Sequence, residues 1–305
     1  MTKQSSGAKS AYMPLNAQRP APAQGCPHDR RSKVIQHYGR GDIRQKIEAA
    51  LAAAGLSDGV LSPAELAPLD QFHTRGMAAT VELAAALAPA AGARVLDIGS
   101  GLGGPSRHLA SRHGCRVQGI DLSPAFVEAA TYLAGRAGLG GMVAYDCADA
   151  LALPYEDAAF DGAWTQHVAM NIADRPRLYR EIGRVLKPGG RLAVYDVVIG
   201  SGEPLHFPVP WARTPETSFV VTPHAMRTAL EQAGFTVVDW QDRTALAIDW
   251  FVERQKAQAA KPAASPPALG LHVVMGPDFP MLGANLGRNL REGRAGIVQA
   301  IFQRS

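Results

Sequence analysis

Residues 93–104 read ARVLDIGSGLGG, an apolar strand that runs into a turn carrying glycine at 99, 101, 103 and 104. Val95, Leu96 and Ile98 predict a buried strand, and the glycines predict a turn tight enough for a ligand to approach the bare backbone. A helix starting after the turn, through Arg107 to His113, would aim unpaired N–H groups and the positive end of its dipole at that ligand. Two spacings coexist here. Gly99, Gly101 and Gly104 satisfy the GxGxxG of a dinucleotide site, whereas Gly99, Gly101 and Gly103 satisfy a GxGxG pattern.

The acids at neighbouring strand ends bear on the choice. Asp97 sits two residues before the first glycine, where a carboxylate suits a ligand with a cationic end and repels a pyrophosphate. Asp121 closes the next strand, CRVQGID, where it can accept both ribose hydroxyls. Asp149 follows a third strand, MVAYD, where it can accept from an adenine amino group. Carboxylates at successive strand C-termini mark the edge where open α/β sheets bind ligands.

Outward from this core the pattern alternates strands and helices. FDGAW (160–164) and RLAVYDVV (191–198) read as strands four and five. A helix near Arg177 to Leu186 stops at Lys187-Pro188-Gly189-Gly190, and FTVVDW (235–240) forms a sixth strand. Units of this length predict a doubly wound parallel sheet. Upstream, Asp42 caps a helix that ends at Gly55, Ser62 and Glu65 make a capping box, and a further helix covers about Gly76 to Leu87. After Trp240 come a helix near Leu246 to Gln258, a KPAASPP linker, a helix near Pro280 to Glu292 and a final strand, AGIVQAIFQ.

The motifs VLDIGSGLGG, GIDLS, CADALALPYEDAAFD, WTQHVAMNI and LKPGGRLAVYDVV, in this order, resemble those of class I S-adenosylmethionine-dependent methyltransferases. The resemblance runs from about Asp70 to Trp240, and its branch is similar to the ubiquinone/menaquinone C-methyltransferases and sarcosine/dimethylglycine N-methyltransferases. It implies a Rossmann-like α/β fold: a seven-stranded doubly wound sheet with an antiparallel last strand, an N-terminal helical lid and a helical insertion before that strand. It implies S-adenosyl-L-methionine as cofactor. Asp97, Gly99 and Gly101 would line its methionine side, Asp121 and Leu122 its ribose, and Ala148 and Asp149 its adenine, with Gln166 alongside. The segment DQFHTRG would fold over the cofactor, which makes Gln71, His73 and Gly76 lid residues.

Methyl transfer is an in-line displacement that depends chiefly on placement, and it needs a base only where the acceptor arrives protonated. His167, just past the fourth strand, is the first candidate base, and His73 on the lid is the second. The competing reading makes each a structural histidine. His206 and His224 read as surface residues. Phe207, Trp211 and Phe219, among prolines in residues 201–220, together with Gln71 and Tyr195, would shape an acceptor pocket; equally, the aromatics would anchor the loop. Tyr195 and Asp196, at the end of the fifth strand, would add polar contacts.

Residues 1–31, rich in Ala, Pro, Gln and Ser without an apolar run, predict a disordered tail. The domain is expected over 32–305, with a cap at 32–90, a core at 91–305 and insertions at 201–220 and 243–293. Three scattered cysteines predict neither disulfides nor a metal site, and a cytoplasmic location fits. A net charge of +4 without basic-aromatic runs does not point to nucleic acid, and no membrane span is expected. The expected partner is a small-molecule methyl acceptor, with nitrogen ranked before oxygen, carbon or sulfur. The helical pieces after Trp240 would finish the pocket or pack against a second copy in a homodimer. The rival readings are an NAD-dependent oxidoreductase and a methyltransferase-like subunit that binds without transferring.

Overall fold

The computed structural model describes residues 42–259 and 269–305. The tail expected at 1–31, the beginning of the cap at 32–41 and the Pro-rich linker at 261–267 lie outside the described residues. Among the described residues three helices come first: α1 (Ile43–Ala53), α2 (Pro63–Asp70) and α3 (Met77–Leu87). Asp42 caps α1 by accepting from the Gln45 N–H, and Ser62 and Glu65 cap α2 reciprocally. The core then runs β1 (Arg94–Ile98), α4 (Gly104–His113), β2 (Arg116–Asp121), α5 (Pro124–Arg136), β3 (Val143–Cys147), β4 (Phe160–Gln166), α6 (Arg175–Val185) and β5 (Leu186–Ile199). It closes with α7 (Pro223–Gln232), β6 (Phe235–Asp242), α8 (Thr244–Ala259), α9 (His272–Met275), α10 (Phe279–Arg291) and β7 (Ala295–Arg304).

The strands form one seven-stranded sheet in the order β3-β2-β1-β4-β5-β7-β6. β1 to β5 are parallel, and β7 runs antiparallel between β5 and β6. The doubly wound sheet with its reversed last strand is therefore the expected one. Strand order reverses direction between β1 and β4, and the C-terminal edge at such a switch point, here beside the glycine turn, is where open α/β sheets bind ligands.

Side chains alternate between two apolar layers. Val95, Leu109, Trp164 and Tyr195 enter one, while Leu96, Ile98, Leu178 and Val194 enter the other. A third cluster holds the cap in place: Ile43, Ile47, Leu66 and Leu69 pack with Leu102 of the glycine turn and Phe126 and Leu133 of α5. The segment between α2 and α3 is thereby laid over the sheet edge.

Two boundaries differ from the sequence reading. Lys187–Gly190 does not simply stop a helix. β5 already begins at Leu186, pairs with Phe160, and resumes pairing at Arg191 opposite Gly162 after an irregularity. At its far end β5 continues to Ile199, so Tyr195 and Asp196 lie inside the strand and face opposite layers. Asp196 is buried and accepts from the Ala169 and Val197 N–H groups, away from the pocket expected of it. The continuation is fixed by β7, whose Ala295–Gly296 end pairs with Val198 and Ile199, a partner that local sequence does not reveal.

Gly103 adopts φ +76°, and a Cβ there would collide with the buried Tyr145 hydroxyl. A left-handed backbone together with a close neighbour makes this position costly for any side chain. Gly103→Ala should lower stability by about 1–3 kcal/mol, read as a reduced urea midpoint at unchanged slope. An unchanged midpoint would mean that the turn shifts freely to accommodate it.

Candidate functional site

The glycine turn is built on left-handed backbone, with φ +69° at Gly99, +52° at Gly101 and +76° at Gly103. A Cβ on Gly99 would lie 2.6 Å from Val168 Cγ2. The Gly101 N–H donates to Asp121 Oδ2 at 3.0 Å, and the Ser123 N–H donates to Asp121 Oδ1 at 2.9 Å, so the β1 turn and the β2 end brace each other. Beside them the Ala148 N–H donates to the Asp121 carbonyl, Cys147 Sγ reaches the Leu122 carbonyl, and Asp149 Oδ1 accepts from the Leu151 N–H. Asp97, Gly99, Gly101, Asp121, Leu122, Ala148, Asp149 and Gln166 thus share the C-terminal edge of β1 to β4.

The electrostatics of that edge are specific. Asp97 is buried and accepts from Ser106 Oγ at 2.5 Å; burial, reinforced by the Asp121 charge, raises its carboxyl to about 7. Desolvation also raises Asp121, against the pull of its backbone donors. Neither carboxylate has an ion-pair partner among the described residues. Gln166 and Ser100 add buried polar atoms without partners, Gln166 Nε2 and Ser100 Oγ. Desolvated acids and orphan donors are groups that a bound ligand would satisfy.

A second constellation lies between the lid and the ends of β4 and β5. His73 Nε2 is 2.9 Å from the Gly76 carbonyl and 3.0 Å from Thr80 Oγ1. His167 has φ +54°, held by its N–H bond to the Tyr195 carbonyl, and its ring stacks on Tyr195 with centroids 5.6 Å apart. Thr74 Oγ1 bridges Tyr195 Oη at 3.1 Å and His167 Nε2 at 3.5 Å. The two imidazole centroids are 6.2 Å apart. Burial lowers His73 to about 4, and burial with the neighbouring His73 lowers His167 well below the ordinary value, so both are neutral near pH 7.

Other expected residues are placed differently. Both amide atoms of Gln71 are used inside the protein, the nitrogen on Asp70 and the oxygen on Thr80. Trp211 is buried in the core and donates to Ser218 Oγ at 2.9 Å, which anchors the Pro-rich loop. Phe219 is held by its backbone, its N–H on Met170 and its carbonyl on Arg175, while Phe207 packs half-buried against the core. Among the described residues, no hydrogen bond or ring contact joins these three to the histidines. His206, expected at the surface, pairs with Glu292 at 2.7 Å.

Sequence reasoning passed over Thr74, Thr80 and the buried Asp70–Arg107 pair. Thr80 lies in an Ala-rich helix without a motif, and Arg107 is 37 positions from Asp70, so only the fold reveals them. The same neighbourhood explains Gly104: a Cβ there would meet Gln71 and Asp70, so packing against the end of α2 is enough to require that glycine.

The methyltransferase-domain family matches residues 96–194, the stretch that carries β1 through most of β5. The O-methyltransferase rstn1 of Aspergillus nomiae is 34% identical over 167 residues, which cover 53% of this chain and 73% of that protein. The chain belongs to the class I S-adenosylmethionine-dependent methyltransferases. The methyltransferase GfsG of Streptomyces halstedii is 39% identical over 131 residues, 43% of this chain and 47% of that protein. The chain spans less than two thirds of the length of most of the curated relatives it matches. Among solved structures, the [4+2]-cyclase SpnF superposes with a TM-score of 0.57 at 28% identity, covering 74% of this chain and 80% of that one.

The cofactor of this class is S-adenosylmethionine, a cation with two ribose hydroxyls, and the site's chemistry fits it. Desolvated Asp97 and Asp121, without an ion-pair partner among the described residues and beside a turn stripped of side chains, match that charge and those hydroxyls; Asp121 would suit a dinucleotide's ribose as well, but Asp97 would repel its pyrophosphate. The same burial makes Asp97 a liability in the empty protein. A carboxyl raised to about 7 favours the fold while protonated and loses that contribution as pH rises through 7. Asp97→Asn should therefore raise the melting temperature of the ligand-free protein more at pH 8 than at pH 5, while weakening S-adenosylmethionine binding about tenfold or more. Equal melting shifts at both pH values, or unchanged affinity, would refute this role.

Proposed function

We propose that this chain transfers a methyl group from S-adenosylmethionine to a hydroxyl of a small molecule, with His167 as the base. The observation that carries the reading is the contrast across the site: Asp97 and Asp121 stand on the cofactor edge without an ion-pair partner among the described residues, and the lid side carries neutral groups with its Arg75–Glu82 pair already closed. His73, Thr74, His167 and Tyr195 supply those neutral groups. The nearby carboxylate, Glu82, is already held by Arg75 at 2.8 and 2.5 Å, with Arg243 at 3.8 Å. A protonated amine would need a free carboxylate there; a hydroxyl needs only hydrogen bonds. Oxygen therefore moves ahead of nitrogen, and the name of the relative rstn1 supports the same order.

Bound S-adenosylmethionine supplies an electrophilic methyl group on a cationic sulfur. Asp97, Gly99 and Gly101 would hold its methionine side, Asp121 and Leu122 the ribose, and Ala148 and Asp149 the adenine, with Gln166 presenting its amide. The chain's remaining tasks are to aim the acceptor oxygen, exclude water and receive a proton. His167 is suited to the last task because it is unprotonated at neutral pH. Although its low affinity for protons makes it a weak base, the hydroxyl becomes acidic as its oxygen bonds to carbon, so a late transfer suffices. Phe207 and Phe219, half-buried on the loop anchored by Trp211, would face the acceptor's apolar part.

The likeness to SpnF, a structure named for cyclisation, favours one second reading: a chain that holds the cofactor and shapes a reactant without methylating it. Counting S-adenosylhomocysteine released per product separates the two.

A screen of phenols, alcohols, quinols, amines and thiols should yield S-adenosylhomocysteine with hydroxyl acceptors. The base works deprotonated, so kcat/KM should hold above the lowered His167 value and fall only as pH drops through it, below 6.5. His167→Ala should cost about 10²–10⁴-fold in kcat and abolish that limb. Turnover of amines alone, a limb at 6.5 or above, or a fully active variant would refute the reading.

A further inference from the structure

A file of buried hydrogen bonds connects the glycine turn to the lid histidine, and each bond in it has one permitted direction. The Gly76 carbonyl only accepts, so His73 Nε2, 2.9 Å away, carries its hydrogen. The same nitrogen lies 3.0 Å from Thr80 Oγ1, which therefore accepts there and spends its own hydrogen on Gln71 Oε1 at 2.7 Å. That bond fixes the Gln71 amide, whose nitrogen donates to Asp70 Oδ1 at 3.0 Å. Asp70 Oδ2 takes Arg107 Nη2 at 2.5 Å, and Arg107 Nη1 donates to the Leu102 carbonyl at 2.7 Å, inside the glycine turn.

A branch reaches Gln166. The Trp164 indole, a donor only, fills Gln166 Oε1 at 3.1 Å, and Thr80 Oγ1 stands 3.5 Å from the same oxygen. The amide nitrogen is thereby turned away from both, buried and without a hydrogen-bond partner.

We infer that Thr80 is a positioning residue that couples the cofactor turn to the acceptor side, tying the Gln71 amide to the His73 ring through one hydroxyl. Thr80 is wholly buried in α3 and bonds to none of the reacting groups, so it acts through its neighbours. The inference rests on the cofactor assignment above. It makes the order of the lid segment answer to the occupancy of the turn: a ligand that fixes the backbone around Leu102 fixes Arg107, then Asp70, Gln71, Thr80 and His73. A valine at this position matches the shape but strands Gln71 Oε1, whereas a serine keeps the bond.

The test uses the full chain, S-adenosylhomocysteine as probe, and the variants Thr80→Val, Thr80→Ser and Gln71→Met. Calorimetry measures affinity, hydrogen exchange follows residues 71–76, and nitrogen-15 spectra of the histidines report the His73 tautomer. In the wild type the probe should slow exchange of that segment by about tenfold or more, with His73 protonated at Nε2. Thr80→Val should keep affinity within about threefold while losing the slowing, and Thr80→Ser should retain it, with His73 staying protonated at Nε2 in both because the Gly76 carbonyl holds that hydrogen. Thr80→Val with full ligand-induced slowing overturns the inference. Should Thr80→Val not fold, Gln71→Met breaks the next bond, and an unchanged response in it overturns the inference equally. A wild-type chain that fails to bind the probe at all overturns the cofactor assignment, and this inference with it.

Discussion

Arg107 is completely buried, and a guanidinium in such a place is tolerated only because Asp70 meets it at 2.5 Å and the Leu102 carbonyl at 2.7 Å. These two contacts join the cap to the sheet. Asp70 ends helix α2, Leu102 belongs to the glycine turn, and Arg107 lies in the first turns of the helix that follows it. Removing either charge would leave the other buried and uncompensated, at a cost of about 3–5 kcal/mol. The position of the lid, the need for glycine at 104 and the aim of Gln71 all derive from this pair. So does the separation of the site into a cofactor edge and a lid side.

That separation has an electrostatic logic. Asp97 and Asp121 are desolvated on the cofactor side, where each is more useful to a cationic ligand than to the empty fold. On the other side, Arg75 and Glu82 neutralise each other, and burial keeps His73 and His167 uncharged. A cation is thus drawn to one wall and left unopposed by charge on the other. Two strained backbones, Arg75 at φ +66° and His167 at φ +54°, flank the boundary, as expected where local conformation yields to a site.

Much of this was legible without a structure because it is encoded locally. The strand-glycine-helix passage at 93–104, the acids closing successive strands and the capping residues each occupy a few consecutive positions. Their physical meaning does not depend on distant chain. The histidines could be named as candidates for the same reason, since each adjoins a recognisable strand end or lid segment. What stayed hidden was partnership at a distance: the pairing of the end of β5 with β7, which extends it to Ile199, and the anchoring of Trp211 on Ser218. The bond from Thr74 to both Tyr195 and His167 was equally out of reach.

The sequence by itself determined a doubly wound sheet, the place where its ligand edge would form, and the charge that edge would carry. Periodicity, turn chemistry and acid spacing are properties of short segments. Tertiary structure decided which of those groups are desolvated, which hydrogen bonds run in which direction, and which side chains face a ligand rather than one another. Burial and pairing arise only when segments tens of residues apart come into contact, and they change the meaning of a residue without changing its name.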